Sequence, residues 1–348
     1  ETEGLLDVRD LSGNTVIFEE DGVRHSSGAA VAFTRDGEGR ITAITDPGGE
    51  SWDYQYDASG NLIKVTDPAG AATSIAYLND PPHYIDQVTD PLGRTGVRYE
   101  YDAEGRLAAI IDTDGNRLEQ TWNLGGFSGT RSDYRGNVTT YHYDALGNVL
   151  QELQPNGGII NYEYGDPENP ELHTKITSPR GHVSTFTYDE RGNETSYQPP
   201  LGRSESRTYN ELSQPIALNL PGLPAQTITY DENGDLVEHR YTSNQARTFT
   251  YSADGKMTSW TDLEGNQSFL AHNGLYGQLS ALSNQAGHQT EATYLPNGLL
   301  AMAESVFGAT TFTYDEAGRI LTETDSMGNT ITYTWQANQL ASTTDETG

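Results

Sequence analysis

Two short passages space carboxylates and amides in the way an oxygen-ligated cation requires. Asp112, Asp114 and Asn116 in "DTDGN", and Asp231, Asn233 and Asp235 in "DENGD", match the opening of a calcium loop. The bidentate glutamate that closes such a loop at position 12 is missing, because Asn123 and Thr242 stand there. A third candidate is the pair Asp57 and Asp67, in "DASG" and "DPAG", with Tyr54 and Tyr56 just before the first. Two neighbouring carboxylates are the equipment of general acid–base and glycosidic chemistry.

Other chemistries have less to stand on. The absence of cysteine excludes thiolate nucleophiles, thiolate metal sites and disulfides. The eight histidines, at positions 25, 83, 142, 173, 182, 239, 272 and 288, show no ligand spacing. No nucleophile elbow, phosphate loop or zinc-binding helix motif occurs. A formal net charge of −30 repels phosphate, so nucleic acid is not an expected partner. No apolar run reaches the ~18 residues of a membrane helix, and no membrane insertion is expected.

The carboxylates lose their distinctiveness once their spacing is followed along the chain. Asp-x-x-Gly occurs 16 times. One set follows an aromatic residue, as Tyr-Asp-x-x-Gly-(Asn/Arg/Asp)-apolar, and includes Asp57/Gly60, Asp102/Gly105, Asp144/Gly147, Asp189/Gly192 and Asp315/Gly318. Most adjacent copies are 20 to 22 residues apart. A second set lies half a period away, as in "TDPAG" (Asp67/Gly70), "TDPLG" and "DSMGN". Both sets spell a hairpin turn: Asp at the first position accepts main-chain N–H groups, Pro presets φ, and Gly takes the positive φ that returns the chain. These turn residues are expected to be structural, building the hairpin turns. Acidity is therefore partly a by-product of turning, and no catalytic, metal or cofactor residue is expected.

Between the turns, apolar and polar residues alternate, as in "VTTYHYD", where Tyr141 and Tyr143 share one face and Thr140 and His142 the other. After the turns, apolar residues fall three apart (Leu62/Val65, Leu107/Ile110, Ile41/Ile44), which predicts a β-bulge. Two units swap the tight turn for a Pro-rich loop, "YLNDPPHYID" from Tyr77 and "YGDPENPELH" from Tyr164. With 37 glycines and 21 tyrosines beside 3 methionines, the composition suits thin walls and many turns.

The expected fold is all-β, with tandem repeats of ~21 residues forming antiparallel hairpins in a continuous coiled ribbon. Laid flat, about thirty strands at ~4.8 Å each would span about 140 Å. Open sheets rarely exceed ~10 strands, so the ribbon must coil or break into blades. A β-propeller is the alternative, since two units approach the length of a blade. Residues 1–30 form an irregular N-terminal set of repeats, and 31–348 the spiral. The missing initial Met and the final Asp345-Glu-Thr-Gly348 suggest an excerpt of a longer protein. An aromatic ladder is expected from Tyr56, Tyr101, Trp122, Tyr143, Tyr188, Tyr230, Tyr251, Tyr314 and Trp335. Trp52, placed two residues before Tyr54, would extend it, and exposed aromatics including Trp260 are candidates for stacking on sugars.

The passages "YDASGNLIKVTDPAG", "YDAEGRLAAIIDTDGN" and "YDEAGRILTETDSMGN" resemble the YD repeats of the Rhs/YD-repeat family, which includes bacterial Rhs and wall-associated toxins, Tc toxin C components and teneurins. The resemblance implies a β-ribbon wound into a hollow shell, without chemistry of its own. In the toxin members that shell encloses a C-terminal effector; in teneurins it serves adhesion. It implies a secreted or cell-surface protein, with the rest of the shell and an enclosed polypeptide as partners. Adhesion or carbohydrate binding through the outer face or the Pro-rich loops at 80–85 and 166–171 is the alternative. The loops are four units apart, a spacing that would align them on one side of a coil. The segment "YTWQANQLASTTDETG" does not resemble the core-closing segment that ends toxin shells, so no cleavage residues are assigned.

Overall fold

A computed structural model of the chain describes residues 4–345, so the last Asp-x-x-Gly, from Asp345 to Gly348, runs outside the described residues. It contains a 33-stranded sheet. Each strand pairs antiparallel with the one before it and the one after, from Asp7–Arg9 to Gln339–Thr344. The early strands Thr15–Glu19 and Gly22–His25 join the same ladder as the regular units. The propeller alternative does not form. A blade boundary would interrupt the ladder, whereas consecutive strands remain paired among the described residues.

The corners explain the spelling. At Asp57 the main-chain N–H donates to Asn61 O at 3.0 Å, and Gly60 N donates back to Asp57 O at 3.1 Å. Asp57 Oδ1 accepts from Ser59 N and Asn61 N, and Oδ2 from Asn61 Nδ2. Gly60 sits at φ +84°, a region that penalises any Cβ. The degenerate corner Asn210 to Ser213 adopts the same geometry, with Ser213 at φ +60° in the glycine position.

The corner glycines share the turn geometry but differ in what surrounds them. Gly70, Gly105, Gly192 and Gly318 all have positive φ, yet their surroundings differ. Gly70, on a Thr-Asp corner, has open space where a Cβ would stand, so it serves the turn alone. At several Tyr-Asp corners, among them those of Gly105, Gly192 and Gly318, the bare Cα is also a seat for the preceding corner along the rim, whereas Gly147 on the same rim has open space. Tyr84 Oη closes over Gly105. A Cβ at Gly192 would stand 3.4 Å from both Asn169 Oδ1 and Leu172 Cδ1, and one at Gly318 would stand 3.5 Å from Leu299 Cδ1. The physical reason is that Tyr-Asp corners lean on one another along their rim, an inter-unit contact that the local turn pattern does not encode.

The predicted bulge is present. Tyr56 pairs with Leu62 while Gln55 pairs with Lys64, so Ile63 is the extra residue. Leu62 and Val65 thereby share one face, across from Tyr56 and Tyr54. The same shift recurs at Tyr101, Tyr143, Tyr188, Tyr251 and Tyr314. Corners of the other set, such as Thr66–Ala72, are unshifted; Thr95–Val97 and Arg240–Thr242 are irregular exceptions. The ribbon therefore has two unlike rims, a bulged Tyr-Asp rim and a flatter Thr-Asp rim. Bulges bend a strand and increase its twist, so repeating them on one rim coils the ribbon in one sense.

The coil returns on itself. Asn14 Nδ2 donates to Asp254 O at 3.2 Å, across 240 residues of sequence. Leu275 lies against Gly28, and Asn297 against Gly48, so early Thr-Asp corners rest on late Tyr-Asp corners. Little is buried within this single-layer wall. Ala109, at 2% exposure, is the buried hydrophobic residue among those described. The Tyr-bearing face is half-buried and the Thr-bearing face more open, as in the alternating pattern of Val183–Tyr188.

Candidate functional site: corner latches and the seam between coils

The repeat tyrosine does more than fill space. Tyr56 Oη donates to Ile41 O at 2.8 Å, Tyr77 to Leu62 O at 2.9 Å, and Tyr101 to Ile85 O at 3.0 Å. Equivalent bonds are made by Tyr164, Tyr188, Tyr209, Tyr230, Tyr251, Tyr294 and Tyr314. In most of them the acceptor is the first strand residue after the preceding bulged corner. The bond therefore ties each unit to the one before it, and satisfies a carbonyl next to an interrupted ladder. Burial pushes the Tyr101 and Tyr188 hydroxyls up, which keeps them protonated as donors. Trp335 makes the same bond through Nε1 to Ile320 O at 2.8 Å, and Trp122 a longer one to Leu107 O at 3.4 Å.

The aromatic rungs are thus hydroxyl-to-carbonyl bonds rather than face-to-face rings, since a strand separates consecutive repeat tyrosines. Ring contacts occur elsewhere, as between Tyr84 and Tyr101 (4.8 Å) and between Phe186 and Tyr197 (5.1 Å). Tyr77, Tyr164, Tyr209 and Tyr294 are latches that the Tyr-Asp-x-x-Gly pattern does not single out, because their corners are degenerate or Pro-rich. A fixed interval of about fifteen residues from the preceding corner would have found them. Among the described ladder residues, Tyr143 alone makes no latch; the unit before it ends in the 3-10 turn Leu124–Gly126 instead of a tight corner. Trp122, Leu124, Phe127, Tyr143 and Leu146 there line an open apolar notch of about 480 Å³.

The residue after the corner glycine is a second brace. Asn148 Nδ2 donates to Pro170 O at 2.9 Å, Gln214 Nε2 to Gly234 O at 2.7 Å, and Asn193 Nδ2 to Ser213 Oγ at 3.1 Å, each in the next corner along the rim. Where Arg takes this place, it pairs with its own corner Asp, as Arg106 does with Asp102 at 2.7 Å. Arg40 also lies over the Tyr56 ring, 4.8 Å from its centroid.

The carboxylate candidates separate. Asp57 and Asp67 stand at opposite ends of the strand Leu62–Thr66, roughly 17 Å of extended chain apart, on different rims. Gly60 and Gly70 part with them, and Gly105, Gly192 and Gly318 are strung out along the Tyr-Asp rim, so the turn residues converge on no common centre. Asp112 Oδ1 accepts from Asp114 N and Asn116 N, and Oδ2 from Asn116 Nδ2, so the turn uses its lone pairs. Asp231 Oδ1 likewise accepts from Asn233 N and Asp235 N. Asp235 differs. Its Oδ2 is buried without a hydrogen-bond partner, at the seam where Asp10 and Ser12 of the first coil meet the corners at Gly234 and Gly255. Burial pushes its carboxyl up, and the neighbouring Asp231 and Asp10 push it further.

The Pro-rich loops share the Tyr-Asp rim and stand eight strands apart along it. Both are tied down. His83 Nδ1 meets Asn61 Oδ1 at 2.6 Å, and Asn169, only 8% exposed, donates to Asp189 O at 2.9 Å.

A single-layer antiparallel ribbon, bulged along one rim, latched unit to unit and coiled onto its own corners, defines the wall of a YD-repeat shell. The chain belongs to the Rhs/YD-repeat family. It matches the family described as Teneurin YD-shell over residues 17–200 and the RHS repeat over residues 314–348. It is 29% identical over 186 residues to Toxin protein Tse5 of Pseudomonas aeruginosa, covering 52% of this chain and 14% of that protein. It is 27% identical over 197 residues to the Probable deoxyribonuclease RhsB of Dickeya dadantii, covering 50% of this chain and 13% of that protein. In fold it is similar to the crystal structure of TcdB2-TccC3 without its hypervariable C-terminal region, with a TM-score of 0.50 at 15% identity, over 95% of this chain and 21% of that one.

Proposed function

We propose that this chain is a non-enzymatic wall segment of a hollow, secreted or surface-exposed shell that helps to encapsulate a C-terminal toxin or effector polypeptide. The observation that carries this reading is the return of the coil onto itself through the Asn14–Asp254 contact. About 23 strands lie between the touching corners, which at ~4.8 Å each gives a coil about 110 Å round and about 35 Å across. A wall one sheet thick leaves room inside for extended polypeptide. The relatives' names fit a toxin setting, and the matched part of each is a small share of its length. The turn carboxylates are committed to main-chain N–H groups, which argues against chemistry in the wall itself.

Protease protection in the natural protein tests the reading. The effector should resist digestion while the shell is intact and become sensitive when Gly48→Val pries the coils apart. Equal sensitivity before and after would overturn it. Adhesion or carbohydrate binding is favoured by one feature, the aromatic notch around Trp122 and Phe127. A glycan-array ligand lost in Trp122→Ala would support that second reading.

A further inference from the structure

The unit between Arg117 and Tyr143 breaks the repeat in three ways at one place. Its corner is the 3-10 turn Leu124–Gly126 instead of Asp-x-x-Gly, Tyr143 makes no latch, and Phe127 occupies φ +47°, a left-handed conformation that disfavours a Cβ. Departures from a local rule that gather at one point, with an aromatic residue held in a strained conformation, point to a function. The geometry there keeps three rings apart around an opening. Phe127 O accepts from Tyr143 N at 2.8 Å, and Tyr143 lies across the bare Cα of Gly129, the residue that pairs with Trp122. Trp122, Phe127 and Tyr143 all border the notch of about 480 Å³, yet among the described residues none of these rings contacts another. Trp122 is 42% exposed and Phe127 50%, so both present surface to a ligand.

Asp144 sets the sign of the charge. It borders the notch, with Oδ1 accepting from Leu146 N and Asn148 N and Oδ2 from Asn148 Nδ2. Burial pushes its carboxyl up, but the bonds from Asn148 outweigh burial and hold the group below the usual carboxylate range, so it is anionic at neutral pH. Among the described residues that line the notch none is cationic, and the chain as a whole carries −30. Aromatic faces attract alkylated cations through their quadrupole, and a volume of this size suits a small molecule. A polyol is served less well, since the acceptors of Asp144 and Asn123 are already engaged in their own turns. We propose that this notch binds the alkylated ammonium group of a small molecule, with the rings of Trp122, Phe127 and Tyr143 around the cation and the Asp144 carboxylate supplying the counter-charge. The site is independent of what the wall encloses.

Choline and its neutral isostere 3,3-dimethylbutan-1-ol differ in charge and little else. Titrations of the full chain, followed by saturation-transfer NMR of the methyl signals, should show choline binding saturably and the alcohol about tenfold more weakly. Two variants keep the fold while removing one part of the site. Phe127→Gly deletes a ring at a position whose φ suits glycine, and Asp144→Asn deletes the charge while keeping the turn acceptor, as Asn210 does in its own corner. Each should weaken choline about threefold to tenfold with the far-UV circular dichroism unchanged. Equal affinity for choline and the alcohol would reduce the notch to an apolar cleft and overturn the proposal. Choline binding that neither variant weakens would also overturn it, by placing the cation elsewhere on the acidic surface. Maltose binding that is lost in Phe127→Gly, with no saturation by choline, would decide for a sugar site instead.

Discussion

The hydroxyl of Tyr77 donates to the main-chain carbonyl of Leu62, and Leu62 is the residue that pairs with Tyr56 beside the bulge. One unit's tyrosine thus closes the backbone defect left by the corner before it. The consequence is testable one atom at a time. Tyr77→Phe keeps the ring and removes the donor, leaving a half-buried carbonyl without its partner. It should cost about 1 kcal/mol in urea unfolding. Tyr143→Phe, where no latch exists, should cost much less. Equal losses at the two positions would mean that the bond contributes nothing beyond the ring.

The corner glycines divide into physical kinds. Gly60 sits at φ +84°, and a Cβ there would find only Arg40 Nη1, at 3.7 Å, so Gly60→Ala is penalised by backbone conformation alone. The expected cost is about 1–2 kcal/mol. Ser59→Ala, in the same turn, should be nearly neutral. Matching unfolding midpoints for the two variants would contradict the turn assignment.

Gly48 is different in kind. A Cβ at this position would stand 2.5 Å from Asn297 Cβ and 2.9 Å from Asn297 Cα, atoms of the next coil with little freedom to move. Gly48→Ala should therefore open the seam while leaving its own hairpin paired. Hydrogen exchange reads this directly: protection should fall at the corners near Gly48 and Asn297 and persist in the strands Ile41–Thr45 and Ser51–Tyr56. Loss of protection in those strands would place the damage in the hairpin instead.

Local features of the wall were legible in the sequence. The Asp-x-x-Gly spacing located the corners, and Leu62/Val65 at an interval of three located the bulge, because both are set by residues a few positions apart. The second role of Gly105, Gly192 and Gly318 was not, because the side chain seated on each comes from the preceding corner along the rim. The latch was hidden as well, since its acceptor is a carbonyl and carries no side-chain signature. Tyr in the repeat reads as a stacking ring, but Trp335 and Trp122 in the same place, donating through their indole nitrogens, show that a polar hydrogen is what the position supplies. The seam was hidden for another reason. Which corners meet after 240 residues depends on curvature accumulated over many bulges, so neither Gly48 nor Asp235 stands out from its neighbours in the sequence.

The titration of Asp235 should oppose that of the ordinary corner aspartates. Asp57 is held below the usual carboxylate range by the Asn61 side chain first and by main-chain N–H groups after it. Such a group contributes stability above its unfolded pKa, and that contribution is lost as pH falls through the depressed folded value. Asp235 is displaced upward from 3.8 by burial, then by Asp231 and Asp10 across the seam. Its protonated form is the one that the seam accommodates, so its contribution is full below 3.8 and is lost as pH rises through the raised folded value. Asp235→Asn should accordingly raise the melting temperature at neutral pH, with the advantage over wild type shrinking on acidification. Thermal unfolding of both proteins from roughly pH 4 to pH 8 brackets that window. A gap that widens toward acid, or an Asn variant no more stable at neutral pH, would show that the buried carboxylate carries no penalty at the seam.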